Sequence, residues 1–352
     1  MTARSLEYYY KINGDTLERA YKDHLSGYMQ WEDKSHADKY LVFPENFGPQ
    51  MSIDETSTKD GELFTILSNK EGHGRKGSIA AIISGTKVED VVAALKLVPE
   101  IVRKQVGVIT MDFSSSMAAI AEEVFPWAYR VLDRFHMQKM AVDAVNNLRI
   151  RHKREATKAE NAARKAFKQK QKARRTKMRK APYFRDGKHD LPQMKAFVPE
   201  RLANGDTLPE LLARSRYFLM MSPEKWTDKQ KARAKLLFEL YPDIKTAFGL
   251  SHSLRVIFNN KQATVESAKK SLSEWYQKVK KFKNDDLDVL AETLQVREDD
   301  LLNFFLFRRT NASAEALNTK IKAFRAQLLT VCSHGKIPVS RLFARRFFVF
   351  NG

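Results

Sequence analysis

Three widely spaced acids carry the chemistry that this chain could perform. Residues 106 to 116 read VGVITMDFSSS, an apolar run that ends on Asp112 with Ser114, Ser115 and Ser116 behind it. Such a run predicts a buried central strand that finishes on a carboxylate, followed by a helix. Asp54 lies inside a second strand-like run, MSIDETST, and Glu315 opens a helix whose apolar stripe is Leu317, Ile321, Phe324 and Leu328. If the strands bearing Asp54 and Asp112 are neighbours, their carboxylates meet at one sheet edge and repel unless a cation lies between them. Hard oxygen donors suit Mg²⁺ or Mn²⁺. Two such ions can activate an attacking oxygen and stabilise a leaving one, which is metal-assisted phosphoryl transfer. Each acid also has a plainer reading. Asp112 could cap the next helix, Asp54 could be an ordinary strand acid interchangeable with Glu55, and Glu315, roughly opposite its apolar stripe, could be a first-turn acid.

The elements that must position these acids follow from periodicity. GDTLERAYKDHLSGYMQW predicts a helix with Asp15 as its cap and Leu17, Tyr21, Leu25 and Met29 as its apolar side, ended by FPENFGPQ. From residue 51 the period becomes that of strands: MSIDETST, ELFTILSN and GSIAAIISGT form an expected meander, with a turn at KDG and a Gly-containing loop. A helix in KVEDVVAALKLV, the strand ending at Asp112, a helix from Ser114 to Ser116 onward and a strand in YRVLDRF complete a β-β-β-α-β-α-β order. That order predicts an α/β fold with an RNase H-like mixed five-stranded sheet, three strands antiparallel and two parallel.

After Phe135 the pattern turns helical. Met137, Met140, Ala141, Ala144, Val145 and Leu148 make one apolar face, Thr227 and Gln230 a capping box, and Val265, Ala268, Leu272, Trp275 and Val279 another stripe. The expected organisation is an N-terminal helical segment over 1–48, the first part of the core over 49–135, a large helical insertion over 136–310, and the final catalytic helix with a tail over 311–352. Within the insertion, residues 149–180 hold fifteen Lys or Arg against two Glu. A run this dense repels itself unless an anion offsets it, so Arg149, Arg151, Lys153, Arg154, Arg164, Lys165, Lys168, Lys172, Arg174 and Arg175 are expected to contact the DNA backbone. The plainer reading is a solvated helix. Phe167 alone interrupts the run with an aromatic ring, so base stacking is not indicated. Trp226 reads as core packing ahead of DNA contact.

Composition narrows the partners. The chain has 352 residues, 43% hydrophobic content and a formal charge of +20, which argue for a folded protein with a polyanionic partner. No apolar run approaches the roughly 18 residues of a membrane span, and MTARSLEYYY lacks the apolar core of a signal peptide, so a cytoplasmic, nucleoid-associated protein is expected. With Cys332 as the only cysteine, internal disulfides and multi-thiolate zinc sites are excluded.

Four stretches carry a family resemblance: SIDET around Asp54, VITMDFSSSM around Asp112, VLDRFHMQK at 131 to 139, and TNASAEALNTKIKAFRAQ around Glu315. In this order and spacing the chain resembles the DDE transposases of bacterial insertion sequences of the ISL-three group, in the ISAon-like branch, from about residue 50 to residue 327. The resemblance implies that Asp54, Asp112 and Glu315 hold two divalent ions, Mg²⁺ or Mn²⁺, for strand cleavage and strand transfer. Its D-x-F-H signature falls on Asp133, Phe135 and His136, which implies a supporting place near the site for Asp133 and His136, and likewise for Asn318 and Lys322. DNA ends and target DNA are the implied partners, with a homo-oligomer on DNA and a separate upstream DNA-recognition protein. The family's usual zinc-binding and helix-turn-helix region has no counterpart before residue 45, and LLTVCSHGKIPVSRLFARRFFVFNG departs from the family's tail. An inactive remnant, or a basic helical scaffold that binds nucleic acid, is the alternative.

Overall fold

A computed structural model of the chain describes residues 3–20, 23–24, 32–57, 61–75, 77–185, 191–308 and Thr319. Two compact units divide it, Met1–Met137 with Arg297–Gly352, and Gln138–Val296.

The first unit is built on one mixed sheet. Its strands are β1 (Tyr40–Val42), β2 (Gln50–Ser57), β3 (Leu63–Asn69), β4 (Ile79–Ser84), β5 (Val108–Met111) and β6 (Tyr129–Leu132), in the order β1-β4-β3-β2-β5-β6. β2, β3 and β4 form the expected antiparallel meander, and β5 and β6 join β2 in parallel. The sheet therefore has six strands and not five. The additional strand, β1, pairs Leu41 with Ile82 on the antiparallel edge of β4. Three residues are too few to show a period of two, so YLV gives no strand signal by itself. β5 is buried throughout, as is β4 up to its last residue, which is why VITM and IAAII are continuous apolar or small-residue runs and not alternating ones.

Two helices that flank β5 in sequence, Val88–Lys96 and Ser115–Val124, pack against one another. Val91, Val92 and Leu95 of the first and Met117, Ile120 and Val124 of the second are buried. After the second unit the chain resumes the sheet unit at Arg297, and the Glu298–Phe307 helix packs on β6. There Asn303 donates its amide to the Arg130 carbonyl at 2.8 Å, and the Tyr129 and Phe307 rings lie 5.1 Å apart. Near the start of the chain, the helix cap falls on Asn13 and not Asp15: the Asn13 side chain accepts the Thr16 N–H at 2.9 Å, and Asp15 sits inside the Gly14–Ala20 helix. An amide oxygen caps as well as a carboxylate does, so two candidates two positions apart are not separable by type.

The second unit contains no strand among its described residues. Most of the 47-residue Arg134–Lys180 helix belongs to it, followed by Leu208–Arg214, Asp228–Leu240, Pro242–Asn259, Val265–Phe282 and Asp285–Val296. Thr227 and Gln230 form the expected reciprocal capping box. Ala268, Leu272, Trp275 and Val279 are buried along one stripe, and the Trp275 indole N–H donates to the Leu250 carbonyl at 2.9 Å. Trp226 donates its indole N–H to the Phe218 carbonyl and packs among Phe218, Phe238 and Phe248, which is the packing role expected of it. No helix among the described residues is long and apolar enough to cross a membrane.

Candidate active site on two adjacent parallel strands

Side chains that occupy equivalent positions on neighbouring parallel strands share a face. β2 and β5 pair Gln50 with Val108, Met51 with Ile109 and Ser52 with Thr110. Extended by two residues, that register sets Asp54 level with Asp112. β5 and β6 pair Met111 with Leu132, so the next residues, Asp112 and Asp133, are level as well. Three acids thus stand level on three adjacent strands, Asp54 inside β2 and Asp112 and Asp133 just past the ends of β5 and β6.

Each is oriented differently. Asp54 is half-buried, and its Oδ1 accepts the Glu55 N–H at 2.8 Å. Asp112 is also half-buried, and its Oδ1 accepts the Ser114 N–H at 2.8 Å. Ser114 is the N-cap of the Ser115–Val124 helix by position, but its side chain makes no capping bond. The Asp112 carboxylate therefore shapes the turn into the helix, as its plainer reading has it. Asp133 is wholly buried. Its backbone N–H donates to the Met111 carbonyl, tying it to β5, and its carboxylate accepts the Phe135 N–H at 3.3 Å at the start of the long helix. An anion at a helix N-terminus is stabilised by the unpaired N–H groups there.

The electrostatics of His136 link these acids. Its Nδ1 lies 3.3 Å from Asp133 Oδ2. The Asp133 hydrogen bond raises the imidazole pKa above its ordinary value; partial burial opposes this, and the charges of Asp133, Asp112 and Asp54 add to the rise. Glu55 is raised by burial and then by the charge of Asp112. Asp54 and Asp112 thus act on a common region from two strands, while Glu55, the other acid considered for the role of Asp54, also feels Asp112.

Two residues that the sequence did not single out also reach this region. Lys70 is buried in the turn after β3, where a side chain on Gly72 would collide with Ser78, and its Nζ donates to Thr110 Oγ1 at 2.9 Å. Thr110 is two positions before Asp112 on the same strand. Arg297 donates from Nη1 to the Ser114 carbonyl at 3.3 Å, across 183 positions of sequence. Contacts this distant leave no local signal in a sequence.

Glu315, Asn318 and Lys322 lie outside the described residues. Among the described residues no group of three His, Cys, Asp or Glu side chains is gathered to hold a metal ion. Asp54 and Asp112 supply oxygen donors of the kind a hard divalent cation requires, and so fit two places of such a site.

The basic helix is less uniform than its composition. Arg149 is buried: Nη1 donates to the Leu212 carbonyl at 2.7 Å, and Nε and Nη2 donate to Asn146 Oδ1. Its guanidinium is thus a partner of the helical core and not a surface cation, contrary to its expected place in a DNA-contacting set. Arg151 pairs with Asp286 at 3.3 Å, and Arg164 pairs with Glu160 at 3.1 Å while lying over the Phe197 ring. Arg154, Lys165, Lys168, Lys172 and Arg174 are exposed, and Lys153 and Arg175 are half-buried.

The model of the DDE family of ISL-three type, described as transposase, matches residues 51–328. No curated protein and no solved structure shows a match to the chain.

Proposed function

Since the chain belongs to the transposase family of ISL-three type, matched over residues 51–328, we propose that it cleaves DNA strands at the ends of an insertion sequence and transfers them to target DNA. The observation that carries this reading is the parallel pairing of β2 with β5, whose register sets Asp54 level with Asp112. The strand order β4-β3-β2-β5-β6 supports an RNase H-like reading of the sheet, with β1 as an added edge strand. Asp54 and Asp112 would hold one Mg²⁺ or Mn²⁺, and Glu315 would help to hold a second. When bound, the ions supply activation of the attacking oxygen and stabilisation of the leaving one.

The protein's own groups set the geometry. The Ser114 and Glu55 N–H groups orient the Asp112 and Asp54 carboxylates. Asp133 anchors the start of the long helix and holds His136 beside the strand ends, where a protonated imidazole offsets part of the acids' charge. The exposed cations of residues 153–175 hold the DNA backbone without reading sequence. A homo-oligomer on DNA and an upstream recognition protein complete the proposed assembly, in a bacterial cytoplasm.

The test is incubation of the purified chain and Mg²⁺ with a supercoiled plasmid carrying the genomic segment that flanks its coding frame. Nicking that is abolished by Asp112→Ala and retained in Lys172→Ala at low salt supports the enzyme. Plasmid binding with no Mg²⁺-dependent nicking would sink it in favour of an inactive DNA-binding relative.

A further inference from the structure

Asp112 owes its orientation to the Ser114 N–H, so whatever holds the Ser114 backbone helps to hold the carboxylate. That residue is held on both sides of its Cα, through the peptide before it and the peptide after it. Its N–H donates to Asp112 Oδ1 at 2.8 Å, and its carbonyl accepts the Ala118 N–H and, at 3.3 Å, Nη1 of Arg297. Arg297 is in turn fixed: its Nη2 donates to Asp300 Oδ2 at 3.1 Å, and Asp300 Oδ1 accepts Nε of Arg130 at 3.1 Å. The side chains of Arg297 and Asp300 are each only 13% exposed, so this pairing is largely sheltered from solvent screening. Arg130 lies on β6, and its own carbonyl accepts the Asn303 amide at 2.8 Å. An exposed pair would contribute little, whereas a sheltered guanidinium with several partners fixes direction as well as charge.

We propose that Arg297 is a positioning residue: through the Ser114 carbonyl it fixes the turn that orients Asp112, and Asp300 with Arg130 fixes Arg297. This rests on the reading of Asp112 as a metal-holding acid. Its structural consequence for the turn does not. A small displacement of a group at the reacting centre can cost about a hundredfold in rate, so the expected loss lies between about tenfold and a hundredfold.

The experiment compares the full chain with Arg297→Met, which keeps the stem and removes the donors, with Arg297→Lys, which keeps the charge, and with Asp300→Asn, which releases the guanidinium. Amide hydrogen exchange and Mg²⁺-dependent plasmid nicking are read on each. The expected result is exchange at residues 112–118 about tenfold faster in Arg297→Met, with the β3–β4 turn unchanged, and kcat for nicking down ten- to a hundredfold at constant KM. Arg297→Lys restores part of both, and Asp300→Asn reproduces them to a lesser degree. Unchanged exchange at 112–118 in folded Arg297→Met overturns the proposal. So does an equal rise throughout the sheet, or failure of both Arg297→Met and Asp300→Asn to fold, since either outcome makes the role one of general stability. A wild-type chain that does not nick refutes the catalytic reading of the chain, and the exchange data then decide the positioning role alone.

Discussion

Replacing Arg149 with methionine separates a buried arginine from the exposed cations proposed to hold DNA. Its Nη1 donates at 2.7 Å to the carbonyl of Leu212, in the last turn of the Leu208–Arg214 helix, where carbonyls lack intrahelical donors. Burial, followed by the charge of Arg216, lowers its pKa, so this guanidinium is held where a cation is costly and its partners matter. Methionine retains most of the apolar stem but leaves the Leu212 carbonyl unpaired. Asn146 is half-buried and regains water. A hydrogen bond to a charged group contributes about 1.5–3 kcal/mol and an orphaned buried acceptor costs about 1–3 kcal/mol; these overlap, so the expected loss is about 2–4 kcal/mol. For a unit of this size each kcal/mol corresponds to about 2–4 °C, so the thermal midpoint should fall by roughly 4–16 °C. Differential scanning calorimetry measures it, alongside plasmid binding across a salt series. The folded fraction of Arg149→Met should bind with an unchanged salt slope. In contrast, a Lys168→Ala, Lys172→Ala double variant should melt like the parent and lose about 1.8 from the slope, at about 0.9 per phosphate. A normal midpoint together with a shallower slope in Arg149→Met would refute this division of roles.

Two further outcomes follow from His136. Its pKa is raised in the folded protein, so its contribution to stability is fully present below the unfolded value of about 6.5 and is lost as pH rises through the higher folded value. Urea unfolding of His136→Gln should therefore show a larger deficit against the parent at pH 5.5 than at pH 8.5; a pH-independent deficit would contradict the Asp133–His136 contact as its source. Adding Mg²⁺ should lower the His136 pKa, read by NMR titration of the imidazole, because a cation beside Asp54 and Asp112 removes charge that favours protonation. A pKa that stays constant up to saturating Mg²⁺ would show that no ion binds near those acids.

Particular residues show what the sequence could convey. β2 to β6 were legible because each is an apolar or alternating run bounded by turn residues, and the meander followed by crossovers led to β2 and β5 as parallel neighbours. That placed Asp54 beside Asp112 in advance. β1 was too short to register, and the Asn13 cap competed with an acid two positions away of equal capping ability. Arg149 was misjudged from composition although its position was informative: it lies four residues after Val145 and eight after Ala141, both buried, and so continues the buried stripe of its helix. Counting charge along a run hid what the helical period would have separated. Lys70 and Arg297 were illegible for another reason. Their partners, Thr110 and Ser114, are 40 and 183 positions away, and a long flexible cation carries no periodic mark of burial. The contact of Asp133 with His136 was not anticipated: the resemblance implied only a supporting place for each, and an acid and a histidine three apart after a strand are ordinary by themselves.

Cleavage of the protein by its own bound metal tests the central claim most directly. Fe²⁺ replacing Mg²⁺ at the site, with ascorbate and peroxide, generates hydroxyl radicals that cut the backbone beside the ligands, and mass spectrometry locates the cuts. The account predicts fragments ending near Asp54, near Asp112 and near Glu315 together, all suppressed by excess Mg²⁺ and all lost in Asp112→Asn. Cuts near Asp54 and Asp112 with none near Glu315, or cuts that excess Mg²⁺ leaves untouched, would contradict it.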